Sequence, residues 1–163
     1  MRPVRIILTF AGAAAIAAAG GGALYVRALG PVPALADVEL STQVLDRNGH
    51  LLRAYATTDG RWRLPAAIND VDPRFIEILQ TYEDGRFRKH WGVDPLAMMR
   101  ATWQFIGNGR IISGGSTLTM QVARLLEPRN QRTFAAKLRQ IVRAIEIERS
   151  LGKDEVLALY LTL

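Results

Sequence analysis

Positions 6–26 carry no charge and are almost wholly apolar. From there on, apolar residues return only in shorter, periodic groups. A run of about twenty such residues is what a bilayer-spanning helix requires. It stops at Arg27 and follows Arg2 and Arg5, which the positive-inside rule sets in the cytoplasm, with the rest of the chain outside. The run is longer than the core of a cleaved signal peptide, so it reads as an uncleaved anchor, although Ala34-Leu35-Ala36 resembles a cleavage site. Gly30-Pro31-Val32-Pro33 then marks a linker. Gln43-Val44-Leu45-Asp46-Arg47 and His50-Leu51-Leu52-Arg53-Ala54-Tyr55 flank Asn48-Gly49, the dipeptide favoured in type I′ turns, and predict a β-hairpin. Arg61-Trp62-Arg63-Leu64 is expected to add a third strand. Asp72-Pro73 and Asp94-Pro95 each pair an N-cap with proline at the first helical position. The helices they open carry Phe75, Ile76, Leu79 and Tyr82, then Met98, Met99, Trp103 and Phe105. Over residues 132–151, Phe134, Leu138, Ile141 and Ile145 recur at helical spacing and predict an apolar stripe, with Gly152 as terminator. The pattern thus divides the chain into an anchor over residues 1–29, a linker and hairpin region over 30–66, and a mainly helical domain over 67–163. Leu159-Tyr160-Leu161-Thr162-Leu163 shows no capping chemistry, so this domain is expected to be incomplete at its carboxyl end.

Charge changes the picture by being regional. The 163 residues hold 21 Lys or Arg against 15 Asp or Glu. Residues 86–149 hold twelve basic against four acidic side chains, whereas residues 30–85 hold five against nine. A nucleic-acid partner, which the basic balance alone would suggest, is excluded by an anchor that sets the basic region outside the cytoplasm. Cysteine is absent, so disulfides play no part.

The basic region coincides with two dense polar signatures. In the first, Glu83-Asp84 is followed by Phe87, His90, Gly92 and Asp94. Transfer to a sugar hydroxyl needs a general base, and Glu83 is the candidate; elsewhere a Glu-Asp pair is usually a solvated helix end. His90 on its own suits structural hydrogen bonding better than catalysis. In the second, Gly114-Gly115-Ser116-Thr117 reads as a loop running into a helix start, where free amides favour an anion such as phosphate, or where Thr117 serves as a plain N-cap. Downstream, Arg124, Arg129, Arg132, Lys137, Arg139 and Arg143 are placed to surround an anionic leaving group, about half of them in contact with it, the others on a solvated helix face. Trp103, Phe105, Ile106, Ile111 and Ile112, around Gly107-Asn108-Gly109-Arg110, form either a hydrophobic edge that enters a lipid leaflet or an ordinary core helix and loop.

Together these residues resemble the family 51 glycosyltransferases, the peptidoglycan glycosyltransferase domain of class A penicillin-binding proteins and monofunctional transglycosylases. The first motif of that family is matched by Glu83, Asp84, Phe87, His90 and Gly92, the second by residues 114–117 with Thr119 and Gln121. The third and fourth correspond to the stretch from Arg132 and Lys137 to Glu148, then to Lys153-Asp154-Glu155-Val156-Leu157-Ala158-Leu159-Tyr160-Leu161. The resemblance runs from about residue 40 to the end and is most like the penicillin-binding protein 1C subgroup.

It implies a mainly α, lysozyme-like glycosyltransferase domain, here truncated, behind a transmembrane helix and a short β-hairpin region. It implies that lipid II is polymerised into a growing glycan strand at the outer face of a bacterial inner membrane, in the periplasm. Glu83 would be the catalytic base; Asp84, Phe87, His90, Ser116, Thr117, Gln121, Arg124, Arg132, Lys137 and Gln140 would bind substrate. Mg2+ or Mn2+ near the pyrophosphate and cell-wall synthesis proteins as partners are implied in the same way. Departures from the family pattern are Met120, Arg124, Thr162 and above all Gln140, which stands where most of the family has a second glutamate. One base plus cations suffices for a pyrophosphate leaving group, which needs no protonation. A non-catalytic, membrane-anchored module that binds lipid-linked glycan is the alternative.

Overall fold

A computed structural model describes residues 19–32, 38–110, 113–128 and 133–163. The chain divides into two units, residues 1–31 and 32–163. In the first, residues 19–28 are helical. Most of the anchor expected over residues 6–26 and the Ala34-Leu35-Ala36 site lie outside the described residues, and among the described residues no helix is long and apolar enough to cross a membrane.

The second unit opens with the expected hairpin, β1 (Gln43–Leu45) antiparallel to β2 (Leu51–Ala54). Its turn is not type I′, which would need positive φ at both Asn48 and Gly49. Only Gly49 has it, at 84°. Asp46 accounts for the difference: its carbonyl accepts the Gly49 N–H, and its carboxylate accepts the amides of Asn48 and His50, each at 2.8 Å. A right-handed turn followed by a left-handed glycine results, with a register irregularity beside Leu45. The third strand expected at residues 61–64 does not form. Ser41 and Arg63 meet there through a backbone bond and the Ser41 hydroxyl, which accepts the Arg63 N–H, so a side chain stands in for the next rung of a ladder.

Five helices follow: α1 (Pro73–Asp84), α2 (Pro95–Asn108), α3 (Leu118–Leu126), α4 (Phe134–Ser150) and α5 (Lys153–Thr162). Asp72 and Asp94 cap α1 and α2 as their Asp-Pro pairs predict. Short 3-10 turns lie at Ile68–Asp70 and Phe87–Lys89. The core is built on α3, whose Leu118, Val122 and Ala123 pack with Ile147 of α4, Val156, Leu157 and Leu159 of α5, and Phe87. Each large apolar side chain so buried contributes about 1.5–3 kcal/mol.

Two sequence expectations fail in α4. Phe134 is 86% exposed and Leu138 41%, so the predicted stripe is not the buried face. Arg143, Ala144, Ile147 and Glu148 are the buried residues, because both charges are paired. Arg143 meets Glu127 and Glu146, each at 2.9 Å, and Glu148 accepts from Thr119 at 2.5 Å and Lys153 at 2.7 Å. Gly152 is not a left-handed terminator either: at φ −73° it is the N-cap of α5, its N–H held by Glu155. None of the residues of α2 is buried in this chain, and Leu96, Met99, Trp103, Phe105 and Ile106 are exposed, while Ile111 and Ile112 of the expected edge lie outside the described residues.

Candidate active site

Glu83 and Asp84 end α1 a single helical step apart, about 100° around the axis, which turns one outward and one inward. Asp84 is the inward one. Its carboxylate accepts the His90 Nε2 proton, at 3.0 Å to each oxygen, and the backbone N–H of Leu118 at 3.0 Å. That amide belongs to the first turn of α3, and another of the turn, Met120 N–H, goes to the Thr117 hydroxyl at 3.1 Å. Two amides of that helix start are thus taken by the chain's own carboxylate and cap, while Gly114 and Ser116 of the preceding loop line the cleft beside Glu83. Thr117 in turn donates to the Gly92 carbonyl at 2.5 Å. Gly92, at φ 71°, packs so closely on α4 that a Cβ would stand 2.5 Å from the Ala144 oxygen.

Asp84, Phe87, His90 and Thr117, read from sequence as substrate-binding, are thus all buried. Phe87 fills the core, with the His90 ring edge-on at 6.3 Å and the Lys153 ammonium 4.5 Å over its face. These side chains hold the two motifs together, and Asp84 and Thr117 also line the cleft beside Glu83; His90 is buried against Asp84.

The outward layer differs. Glu83 is exposed, and Gln121 Nε2 donates to its Oε2 at 2.8 Å, leaving the other oxygen open. Lys137 on α4 reaches Ser116 at 2.6 Å, joining the loop to the third motif. Burial and, after it, the Arg124 guanidinium depress the Lys137 ammonium below the ordinary lysine value. Arg124 is exposed and makes no ion pair among the described residues. Tyr160 of α5 links the two sides: burial and the Glu83 carboxylate push its hydroxyl above the usual phenol value, and Arg124 partly opposes them. Glu83 and Arg124 thus both act on Tyr160, and Arg124 acts on Lys137.

Beside Glu83 opens a cleft of about 580 Å³ that also carries Tyr82, Arg86, Arg100, Ser113, Ser116 and Gln121. Such a volume is ordinary for a ligand site. Asp94 lies at its wall. Burial raises its carboxyl, but the amides of Ala97 and Leu96 and the Arg86 guanidinium at 3.6 Å outweigh that and hold it low. Sequence reasoning missed Tyr160, Arg86 and Arg100. Tyr160 stands in the quoted fourth motif, which was the available signal; the two arginines carried none.

Arg129 and Arg132 lie outside the described residues. Arg139 and Arg143 are both ion-paired with Glu127. Gln140 lines a small cleft between α3 and α4 with Arg124 and Glu127. Among the described residues no three Asp, Glu, His or Cys side chains converge on a common point. Of the described carboxylates lining the cleft, Asp84 is paired with His90 and Asp94 with Arg86, which leaves Glu83 as the one without an ion pair that an Mg2+ or Mn2+ ion would meet there.

Residues 48–163 match the family model described as Transglycosylase. Penicillin-binding protein 1C of Escherichia coli (strain K12) is 50% identical over 133 residues, 82% of this chain and 17% of that protein. Penicillin-binding protein 1A of Pseudomonas aeruginosa is 39% identical over 143 residues, covering 86% of this chain and 17% of its own. Penicillin-binding protein 1A of Vibrio cholerae is 34% identical over 140 residues, 84% and 17% respectively. The chain thus spans 17% of the length of each of these relatives.

Proposed function

The chain belongs to the transglycosylase family, and on that footing we propose that it is a peptidoglycan glycosyltransferase of cell-wall synthesis that adds lipid II units to a glycan strand. The observation that carries this reading is the exposed carboxylate of Glu83, fixed at one oxygen by Gln121 and acting on Tyr160 together with Arg124, which in turn acts on Lys137. The open oxygen of Glu83 accepts the proton of the acceptor's 4-hydroxyl. That hydroxyl oxygen bonds to the anomeric carbon of the donor strand. The bond from that carbon to the lipid pyrophosphate breaks, and the electron pair leaves with the phosphate, inverting the centre. Arg124 and Lys137, with Arg132 by family likeness, meet the charge that develops there; fixed charges at such a place are among the largest single terms in catalysis. A divalent ion at this site would be held chiefly by the substrate's own phosphates.

The apolar face of α2, flanked by Arg100 and Arg110, suits the outer leaflet in which the lipid tail lies. This reading agrees with an anchor over residues 6–26 and a periplasmic catalytic unit. Glu83→Gln tests the chemistry. Polymerisation of labelled lipid II should fall by about 10²-fold or more, the contribution of a general base, while lipid II binding persists. A folded wild type that binds lipid II without forming polymer would instead support the binding-module reading, which the neutral Gln140 favours.

A further inference from the structure

The cleft between α3 and α4 measures about 20 Å³, room for about one water molecule. Its polar lining is Arg124, Glu127, Arg139, Gln140 and Arg143. Three guanidiniums and one carboxylate meet there, and the pairing is uneven. Glu127 takes Arg139 on one oxygen and Arg143 on the other, at 2.9 Å for the latter. Arg143 also reaches Glu146 at 2.9 Å. Arg124 is outside this arrangement and keeps its exposure. The remaining polar group is the Gln140 amide, one helical turn after Lys137 on the face of α4 that meets Arg124.

We propose that Gln140 determines affinity for the diphosphate end of the substrate: being neutral, it denies Arg124 a partner within the protein, so that Arg124 and Lys137 together form a two-cation seat for a diphosphate. The inference rests on the proposed function for the identity of the anion and deepens it. A guanidinium presents a planar fork that fits a carboxylate or a phosphate equally well, so an acidic neighbour competes with the anion for its donors. A carboxylate at position 140, half-buried and lining the same one-water cleft as Arg124, would capture that fork through charge-assisted hydrogen bonds. Glutamine keeps the size and hydrogen-bonding capacity of that side chain and drops the charge. The depressed Lys137 agrees, since Arg124 is near enough to add to burial in lowering it.

The test is calorimetric titration of the full chain in detergent with inorganic pyrophosphate, comparing wild type, Gln140→Glu, Arg124→Gln and the double variant. Gln140→Glu should weaken binding about tenfold, the scale of one charged hydrogen bond lost, with an unfolding temperature within a few degrees of wild type. In the Arg124→Gln background the same change should cost under twofold, because there is no fork left to capture. Equal loss in both backgrounds would reduce the effect to general repulsion and overturn the proposal. So would unchanged or tighter binding by Gln140→Glu, or a wild type without affinity for pyrophosphate. Gln140→Asp repeats the comparison if the longer acid unfolds the domain. Wild type that shows this coupling but makes no polymer from lipid II keeps the seat and overturns the glycosyltransferase reading alone.

Discussion

A methyl group at position 92 would sit 2.5 Å from the Ala144 carbonyl oxygen, on a backbone at φ 71° that residues other than glycine rarely adopt. Relieving that contact must move either the loop or α4. Gly92→Ala should therefore cost about 3 kcal/mol, overpacking and backbone strain together, read as a lower midpoint in denaturant with unchanged slope. Lys137 yields a prediction with a sign. Its ammonium is held below the ordinary lysine value of 10.5 by burial first and Arg124 second. It loses its charge at lower pH than a free lysine, and pyrophosphate binding should fall off early on the alkaline side. Arg124→Gln removes the repulsion, so the alkaline limb should move to higher pH while overall affinity drops; a limb that stays in place would separate Lys137 from the anion. At this scale the chemistry was legible and the orientation was not. Glu83 and Asp84 are chemically alike and adjacent, and only the packing of α1 on α3 decides which of them faces solvent.

Helix α4 shows why periodicity alone misplaces a face. Leu138 and Phe134 fit an apolar stripe, yet the buried side holds Arg143 and Glu148, whose charges are tolerated because partners arrive from α3, from α5 and from α4 itself. Those partners are distant in sequence, so no local pattern announces them; the caps at Asp72, Asp94 and Thr117 act within a few residues and were readable. The Glu127 cluster should be costly to break. Burial raises its carboxyl, but Arg139 and Arg143 more than compensate, leaving it below its ordinary value of 4.5. A carboxylate lowered on folding contributes stability that is complete above that ordinary value and is lost as pH falls through the folded one. Wild type should accordingly lose more stability than Glu127→Gln between neutral and acid pH, and at neutral pH the variant should be less stable by about 3 kcal/mol, measured by urea unfolding across the range.

At the scale of the molecule, one stretch combines exposed apolar side chains with positive charge: Leu96, Met99, Trp103 and Ile106 fall in sequence among Arg86, Arg100 and Arg110. If this side meets lipid, single-tryptophan variants reconstituted in vesicles should report it. Trp103 should be quenched by lipids brominated high in the acyl chain, and Trp62, beyond the hairpin, should not. Equal quenching at both positions would count against α2 as the contacting surface. The general plan, a hairpin followed by a helical body, was legible because turn and cap residues punctuate the chain; the centre of the core was not, since α3 has only nine residues and its importance comes from being covered on several sides. The bond from the Leu118 amide to Asp84 has a consequence for exchange with solvent deuterium. First-turn amides of a helix ordinarily lack an acceptor and exchange quickly. This one ends on a buried carboxylate that is also fastened to His90, so it should exchange only when the domain opens as a whole. One slow proton thus becomes a clock for the integrity of the entire site, readable without substrate.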